Sequence, residues 1–500
     1  MTEPDPPSSR REAREASQGS AGPPTGMAAF IKRHPRAVLT TALSVAFLLV
    51  STAALFAGVA VGSSATAVPE PTVTATPTPT PTVDPRALPS GATEPTRVRT
   101  CSIDAAARDE RLTDLFGSVV NASTGEVLWD RQATTPARTA SVMKILTAAV
   151  VLSALGPDYR LTTKVVAGPT PGSVVLVGGG DPTLSRLPFG QESVYPGAPK
   201  LADLAAQTVA AYAAANPDDP EITQVLLDAS YWNTGDRWDS SWDRSLQVDG
   251  YGSEVTALQV DGDRDDPRQA ISRRSTDPVT RAGDAFAAAL ADAGNPAGAP
   301  AVTLGTAVGN TVLAQVQSQP VSALVAHMVD TSDNALAEML SRVSSRVIGL
   351  DGSAASLSRT FTGVLNTYGV DTAAITVRDG SGLSSLNAVP AQYVAELLAV
   401  IAAGGQNLPI ITNALSVAGV NGNLARRFTG PNAIARGSVQ GKVGWIGSAR
   451  TLAGIVRAAD GTVLTFSFYV IRDGVPETAR AALDTLATGV FSCGDNLSNN

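Results

Sequence analysis

Histidine, cysteine and lysine are almost missing from this chain of 500 residues, which has two histidines, two cysteines and five lysines among 37 basic residues. His34, His327, Cys101 and Cys493 are too few to build a zinc centre. A Ser-His-Asp triad has only His327 to draw on, because His34 belongs to the N-terminal segment. Positive charge is also short: 37 basic against 45 acidic residues leaves a net −8, the wrong sign for gripping nucleic acid. Charged residues make up only 16% and hydrophobic ones 44%, enough for a large core, and the length implies two or three domains. In an arginine-rich background, Lys32, Lys144, Lys164, Lys200 and Lys442 each need a reason to be there.

No charged residue occurs from Ala37 to Val68. The apolar core Val38–Val61 reaches about 36 Å as a helix, enough to cross a bilayer. Residues 1–36 then form a cytoplasmic tail, since Lys32, Arg33 and Arg36 precede the run and no cation comes closely after it. We read 37–62 as a retained single-pass helix; the competing reading is a secretory signal cleaved after Ala67, at Ala65-Thr66-Ala67. Both readings export the rest of the chain. Residues 63–100 alternate proline and threonine, as in Thr76-Pro77-Thr78-Pro79, and make a semi-rigid spacer. Cys101 and Cys493 bracket the folded part, so an oxidising compartment favours a disulfide between them over two free thiols. Residues 494–500 read as a tail.

Gly117–Asn121 and Glu126–Asp130 read as a hairpin around Ser123-Thr124-Gly125. Arg450–Ala458 and Thr462–Ile471 flank the turn signal Asp460-Gly461, with a last helix over about Pro476–Thr488. A helix starts at Ala140, apolar around most of its circumference, and Gly156-Pro157 ends it; such a helix belongs at the centre of a domain. Strands at both chain ends with helices between them suggest an α/β sandwich. The stretch 165–316 has another texture, with strands at Val174–Val177 and Gln224–Asp228 and an Ala-rich helix at Leu201–Ala214, and reads as a domain inserted into one formed by 101–164 and 317–493.

Three short motifs carry chemistry. Ser141 and Lys144 share one helix face, where a neutral lysine amine can take the serine proton. Ser332-Asp333-Asn334 offers a hydroxyl to relay protons and an amide to hold a carbonyl; Ser385-Leu386-Asn387 is a decoy of the same pattern. Lys442-Val443-Gly444 places a cation at a strand start, where glycine lets a substrate backbone approach. Two have a structural alternative, a snorkelling lysine for Lys144 and a strand-end lysine for Lys442, and the Ser-x-Asn pattern is weak by itself.

Their order resembles the Ser-x-x-Lys, Ser-x-Asn and Lys-x-Gly set of penicillin-binding proteins and serine β-lactamases. Thr139-Ala140-Ser141-Val142-Met143-Lys144, Gly178-Gly179-Gly180-Asp181-Pro182, Asp379-Gly380-Ser381-Gly382 and Asn421-Gly422-Asn423-Leu424 extend the likeness to the D-alanyl-D-alanine carboxypeptidase/endopeptidase family, the class C low-molecular-mass penicillin-binding proteins. That resemblance implies a penicillin-binding fold, an antiparallel sheet with helices, split by the insert and acting on peptidoglycan stem peptides without metal or cofactor. It also implies β-lactams as covalent inhibitors, and a bacterial cell membrane with the catalytic unit outside. It assigns Ser141 as nucleophile, Lys144 as its base, Ser332 as proton relay and Asn334 as amide holder, with Lys442 near the substrate carboxylate. The substrate-binding strand is Val443, Gly444 and Trp445, with the N–H groups of Ser141 and Trp445 as oxyanion hole. Two departures from the family pattern stand out. Val443 replaces a threonine, and Asn423 replaces another. A catalytically weak wall-peptide scaffold is therefore the second reading, and a membrane-anchored β-lactamase the third.

Overall fold

The computed structural model describes residues 98–405 and 407–499; the expected tail, membrane helix and most of the linker, 1–97, lie outside the described residues. Among the described residues no helix is long and apolar enough to cross a membrane. All of them fall within one compact unit.

Two sheets organise it. The first joins β1 (Leu115–Asn121) and β2 (Val127–Arg131) near the start to β10 (Ser416–Val417), β11 (Val439–Ile446), β12 (Ala449–Arg457) and β13 (Val463–Ile471) near the end. Its six strands run in the order β10-β11-β12-β13-β1-β2 and are antiparallel throughout. The four strands expected from the two hairpin patterns, β1, β2, β12 and β13, each begin and end within two residues of expectation. Gly461 supplies the positive φ that the β12–β13 turn needs. Alternation sorts the side chains. Ala453, Ile455 and Tyr469 face the inner helices, while Leu452, Val456, Phe466 and Phe468 face an outer layer.

The inner layer contains α1 (Met143–Ala154), preceded by a 3-10 turn over Ala140–Val142. All residues from Met143 to Leu152 are buried, as an apolar circumference requires. A short strand pair, β3 (Pro136–Ala137) with β9 (Val389–Pro390), leads the chain into this turn. Helices from the second half of the chain pack around α1.

The second sheet comprises β4 (Thr162–Ala167), β5 (Ser173–Val177), β6 (Gln224–Asp228), β7 (Ala301–Leu304) and β8 (Val312–Gln317), in the order β7-β6-β5-β4-β8. Its first and last strands in the chain straddle residues 165 and 316. Helices α2 (Leu201–Ala215) and α3 (Pro278–Asp292) connect its parallel strands β5, β6 and β7, and the sheet has its own apolar core. Composition did not reveal α3, β7 or β8, because β7 and β8 are largely exposed edge strands without a clean apolar alternation.

The remaining longer helices are α4 (Val321–Thr331), α5 (Asn334–Val347), α6 (Ala354–Leu365), α7 (Ala391–Ala402) and α8 (Ala479–Cys493). The last runs five residues beyond the expected end at Thr488, since Val490 and Cys493 bury against the outer sheet face. Cys101 and Cys493 form a disulfide with Cα atoms 5.4 Å apart and a sequence separation of 392. The expected C-terminal tail is packed rather than free: Leu497 is buried and Ser498 N donates to Cys101 O at 2.8 Å.

On the chain-entropy account such a closure stabilises by about 6 kcal/mol. Cys493→Ser is expected to lower the thermal midpoint by roughly 5–10 °C. An unchanged midpoint in a calorimetric scan would show that the tie contributes nothing.

Candidate active site

Ser141 sits at the entrance to α1, half-buried, in the 3-10 turn. Ala140 before it has φ +45°, a left-handed conformation that costs a non-glycine residue energy and turns the serine out of the helix line. Two glycines pack closely against this strained pair. A Cβ on Gly382 would lie 1.9 Å from Ala140 O, and one on Gly444 would lie 2.8 Å from Ser141 N. Gly444 is therefore required by the close approach of β11 to the backbone of Ser141. The expected room for a substrate is, at this glycine, room for a neighbouring backbone.

Lys144 has no exposed surface. Its Nζ donates to Asn334 Oδ1 at 2.6 Å, to Ser381 O at 2.7 Å and to Ser141 Oγ at 3.1 Å. An ammonium has three protons, and these acceptors use all three. A neutral amine has two. Asn334 Oδ1 and Ser381 O can only accept, so they retain the two N–H groups and the lone pair faces Ser141, whose hydroxyl can then donate. Burial pushes Lys144 down to about 8, and the carboxylates of Asp379, Glu338 and Asp333 limit the fall. At pH 7 about one-tenth of the molecules carry the neutral amine.

Ser332 and Asp333 are the whole link between α4 and α5. Ser332 takes φ +62° as the C-terminal cap of α4, and Asp333 caps α5 by accepting from Leu336 N at 3.0 Å. Ser332 Oγ accepts from Lys442 Nζ at 2.9 Å, and Lys442 also donates to Val443 O at 2.9 Å. Burial, and then the charge of Lys144, hold Lys442 well below its ordinary range. Asn334 opens α5, with Nδ2 donating to Tyr251 O at 2.9 Å. Ser141, Lys144, Ser332, Asn334 and Lys442, drawn from three distant stretches of the chain, thus join in two hydrogen-bonded chains, Ser141–Lys144–Asn334 and Ser332–Lys442.

The register of β11 with β12 fixes which side each neighbour faces. Lys442 pairs with Ala453 and Gly444 with Thr451 on the inner face, while Val443 pairs with Leu452 and Trp445 with Arg450 on the outer. Val443 is half-buried against the outer core, so its methyl groups have a packing role. Trp445 is 54% exposed, with the Arg450 guanidinium 5.4 Å from its ring centroid. Arg436 donates to Gly419 O at 2.7 Å. His327 packs half-buried against the Tyr195 ring at 5.3 Å.

Sequence reasoning missed Glu338, and named Asp379 only within a family motif, without a role. Glu338 lies one helical turn after Asn334 and accepts from Ser381 N at 2.7 Å and Gly380 N at 3.3 Å, fixing the turn whose carbonyl receives Lys144. Burial and then the charge of Asp379 push Glu338 up to about 7. Asp379 accepts from Trp242 Nε1, Ser384 N, Gly382 N and Asn387 Nδ2 at 2.6–2.8 Å. The i, i+4 spacing from Asn334 was the available signal for Glu338. The decoy Asn387 serves this turn.

The sequence profile of the D-Ala-D-Ala carboxypeptidase 3 (S13) family matches residues 99–268 and 256–490. Carboxypeptidase DacB of Mycolicibacterium smegmatis is 35% identical over 467 residues, 92% of this chain and 97% of that protein. Carboxypeptidase Rv3627c of Mycobacterium tuberculosis is 35% identical over 423 residues, 82% and 86% of the two chains. Among solved structures, penicillin binding protein 4 (dacB) from Haemophilus influenzae shares the fold at TM-score 0.61 and 18% identity, covering 78% of this chain and 98% of that one. A second structure of that protein, complexed with a novel beta-lactam, gives TM-score 0.57 at 20% identity, covering 78% and 98%.

With five lysines in the chain, carbon-13 NMR of labelled lysine resolves each one. Lys144 is expected to titrate with a midpoint near 8, protonated below it and neutral above. A midpoint at the ordinary value of 10.5 would contradict the burial argument.

Proposed function

Because the chain belongs to the D-Ala-D-Ala carboxypeptidase 3 (S13) family, we infer that it is a penicillin-binding serine D,D-carboxypeptidase that cleaves peptidoglycan stem peptides through an acyl-enzyme. The observation that carries this reading is the lone pair of Lys144, directed at Ser141 by two acceptors that cannot donate. In the proposed reaction Ser141 Oγ gives its proton to Lys144 Nζ and attacks the carbonyl carbon of the penultimate D-alanine. The N–H groups of Ser141 and Trp445 stabilise the resulting oxyanion. The C–N bond then breaks as the proton passes through Ser332 to the leaving D-alanine nitrogen. Water, its proton taken by Lys144, attacks the acyl carbonyl; the ester C–O bond breaks and Lys144 returns the proton to Ser141 Oγ. Asn334 orders Lys144 and the substrate amide; Lys442 polarises Ser332 and attracts the terminal carboxylate. Gly444 keeps β11 against Ser141.

We further place this unit on the outer side of a bacterial membrane, as a body split by an inserted domain and tethered by 37–62, which sedimentation of the full chain with membranes tests. Stem peptides and β-lactams are its proposed ligands.

Val443 supports the second reading, a weak peptide-binding member of the family. A threonine there would add a hydroxyl donor for the substrate carboxylate; valine has none. One charge-assisted hydrogen bond is worth about 1.5–3 kcal/mol, roughly a 10- to 150-fold difference for a substrate that needs it. Arg450, on the same sheet face as Val443, lies 4.0 Å from Glu477 and 5.4 Å from the Trp445 ring centroid, and is our candidate cation to offset the loss.

Two outcomes are expected. Intact mass spectrometry should find one penicillin adduct, and Ser141→Ala should abolish it; an adduct that survives the substitution refutes the nucleophile. Val443→Thr should raise D-alanine release from a pentapeptide at least several-fold while changing penicillin acylation less. Equal release by the two proteins would show that carboxylate recognition is complete without a hydroxyl at 443.

A further inference from the structure

The middle residue of the Ser332-Asp333-Asn334 link is tied to the second-sheet segment by a buried ion pair. Arg264 Nη2 donates to Asp333 Oδ2 at 2.8 Å, and Tyr195 OH donates to the same oxygen at 3.0 Å. Arg264 Nη1 donates to the Tyr195 hydroxyl at 2.8 Å, and the guanidinium lies 5.0 Å from that ring centroid. Both partners of the ion pair are almost fully buried, with side chains 4% and 3% exposed. Asp333 Oδ1 meanwhile caps α5.

A second arm comes from the same segment. Arg274 donates to Gly262 O and, at 3.2 Å, to Gly250 O, the carbonyl beside the peptide of Tyr251. Tyr251 O receives Asn334 Nδ2. The turn just before Arg264 is strained: Asp261, Gly262 and Asp263 take φ of +51°, +59° and +59° in succession. Three left-handed residues in a row, two of them aspartates, cost energy that the surroundings must offset. What the turn achieves is to bring Arg264 to Asp333.

We propose that Arg264 is a positioning residue for the reaction, holding Asp333 from the second-sheet segment so that Ser332 meets Lys442 and Asn334 meets Lys144. The proposal rests on the reading of Ser141 as nucleophile and Lys144 as its base. Ser332 and Asn334 flank Asp333 directly, so a shift of that one carboxylate moves both. Hydrogen-bond geometry at reacting groups tolerates little displacement, and a misplacement of about 1 Å costs roughly 100-fold.

The ion pair also acts on charge. Burial alone would raise the Asp333 carboxyl; Arg264, then Arg274, the Leu336 N–H and His327 hold it far below its ordinary range, and it is ionised throughout the working pH. The charges facing Lys144 are Asp379, Glu338 and Asp333, which favour its protonated form; Lys442 lies nearby and is itself held low by burial and by the Lys144 charge. Removing Arg264 takes away the first cation that holds Asp333 ionised; Arg274, Tyr195 OH and the Leu336 N–H remain, and the Asp333 charge is less masked toward Lys144. Removing the Asp333 charge does the reverse.

The test measures the rate of acylation of the full chain by a fluorescent penicillin, separated into the non-covalent affinity and the first-order acylation step, across the pH range in which Lys144 titrates. Arg264→Met is expected to slow the first-order step roughly 10- to 100-fold with the affinity nearly unchanged, and to move the midpoint of the pH profile up. Asp333→Asn should move that midpoint down, and Arg264→Lys should recover the wild-type rate to within a few-fold. Tyr195→Phe, which keeps the ring and removes one donor, should slow the step several-fold, and carries the test should Arg264→Met fail to fold. Folded Arg264→Met that acylates within twofold of wild type at an unmoved midpoint overturns the proposal, as does an unaltered Tyr195→Phe where Arg264→Met does not fold. Absence of acylation in the wild type overturns instead the reading of Ser141 on which the proposal rests.

Discussion

A lysine ammonium with no exposed surface sits at the centre of this protein, and its three hydrogen bonds tie three separate parts of the chain together. Lys144 comes from α1, Asn334 from the start of α5, and Ser381 from the turn before β9. Burying a charge is costly unless it is paired and fully hydrogen-bonded. The surroundings meet that cost with three acceptors and three nearby carboxylates, and the amine remains close enough to neutrality to act as a base. Most of the geometry of the cleft stems from this balance. The apolar circumference of α1 buries the helix, the burial depresses the lysine, and the acceptors choose the direction of its lone pair.

The strained positions cluster around the same centre. Ala140 and Ser332 are both non-glycine residues in left-handed conformations, and each lies beside or carries a hydroxyl that bonds one of the two buried lysines. Each is held from two sides: Ala140 by the backbone approach of Gly382 and of Gly444, Ser332 by the ends of α4 and α5. Packing that over-determines a strained residue also fixes its direction. The second-sheet segment contributes to this rigidity from outside, through Arg264 and Tyr195 on Asp333, Trp242 on Asp379, and the Tyr251 carbonyl on Asn334. It is therefore joined to the cleft at the level of side chains that orient chemistry, in addition to its own core.

Val443 shows how one position can serve two requirements. On β11 it faces outward beside Leu452, where a valine packs well, and it stands where the family pattern has a hydroxyl. In the proposed reading, packing and substrate recognition compete for this one side chain. Arg450, stacked over Trp445 from the neighbouring strand, brings a positive charge to the same face.

Local patterns determined a great deal here. The Asp460-Gly461 turn, the two terminal hairpins, the apolar α1 and the pairing of Cys101 with Cys493 were legible because each depends on residues near in sequence or on a count of only two cysteines. The three short motifs were legible for a similar reason: spacing of three on a helix, or adjacency on a strand, is a local property. Glu338 and Arg264 were not, although Glu338 lies one turn from Asn334, because a carboxylate or guanidinium among many reads as a solvated surface charge until its burial is known. The reason for Gly444 was also hidden, since a glycine's need is set by the backbone that approaches it, here that of Ser141 from the far end of the folded chain. Sequence alone determined which groups could react. The tertiary structure decided which of them are buried, which carbonyls they face and which charges they feel, because desolvation and hydrogen-bond direction belong to the assembled surroundings of an atom.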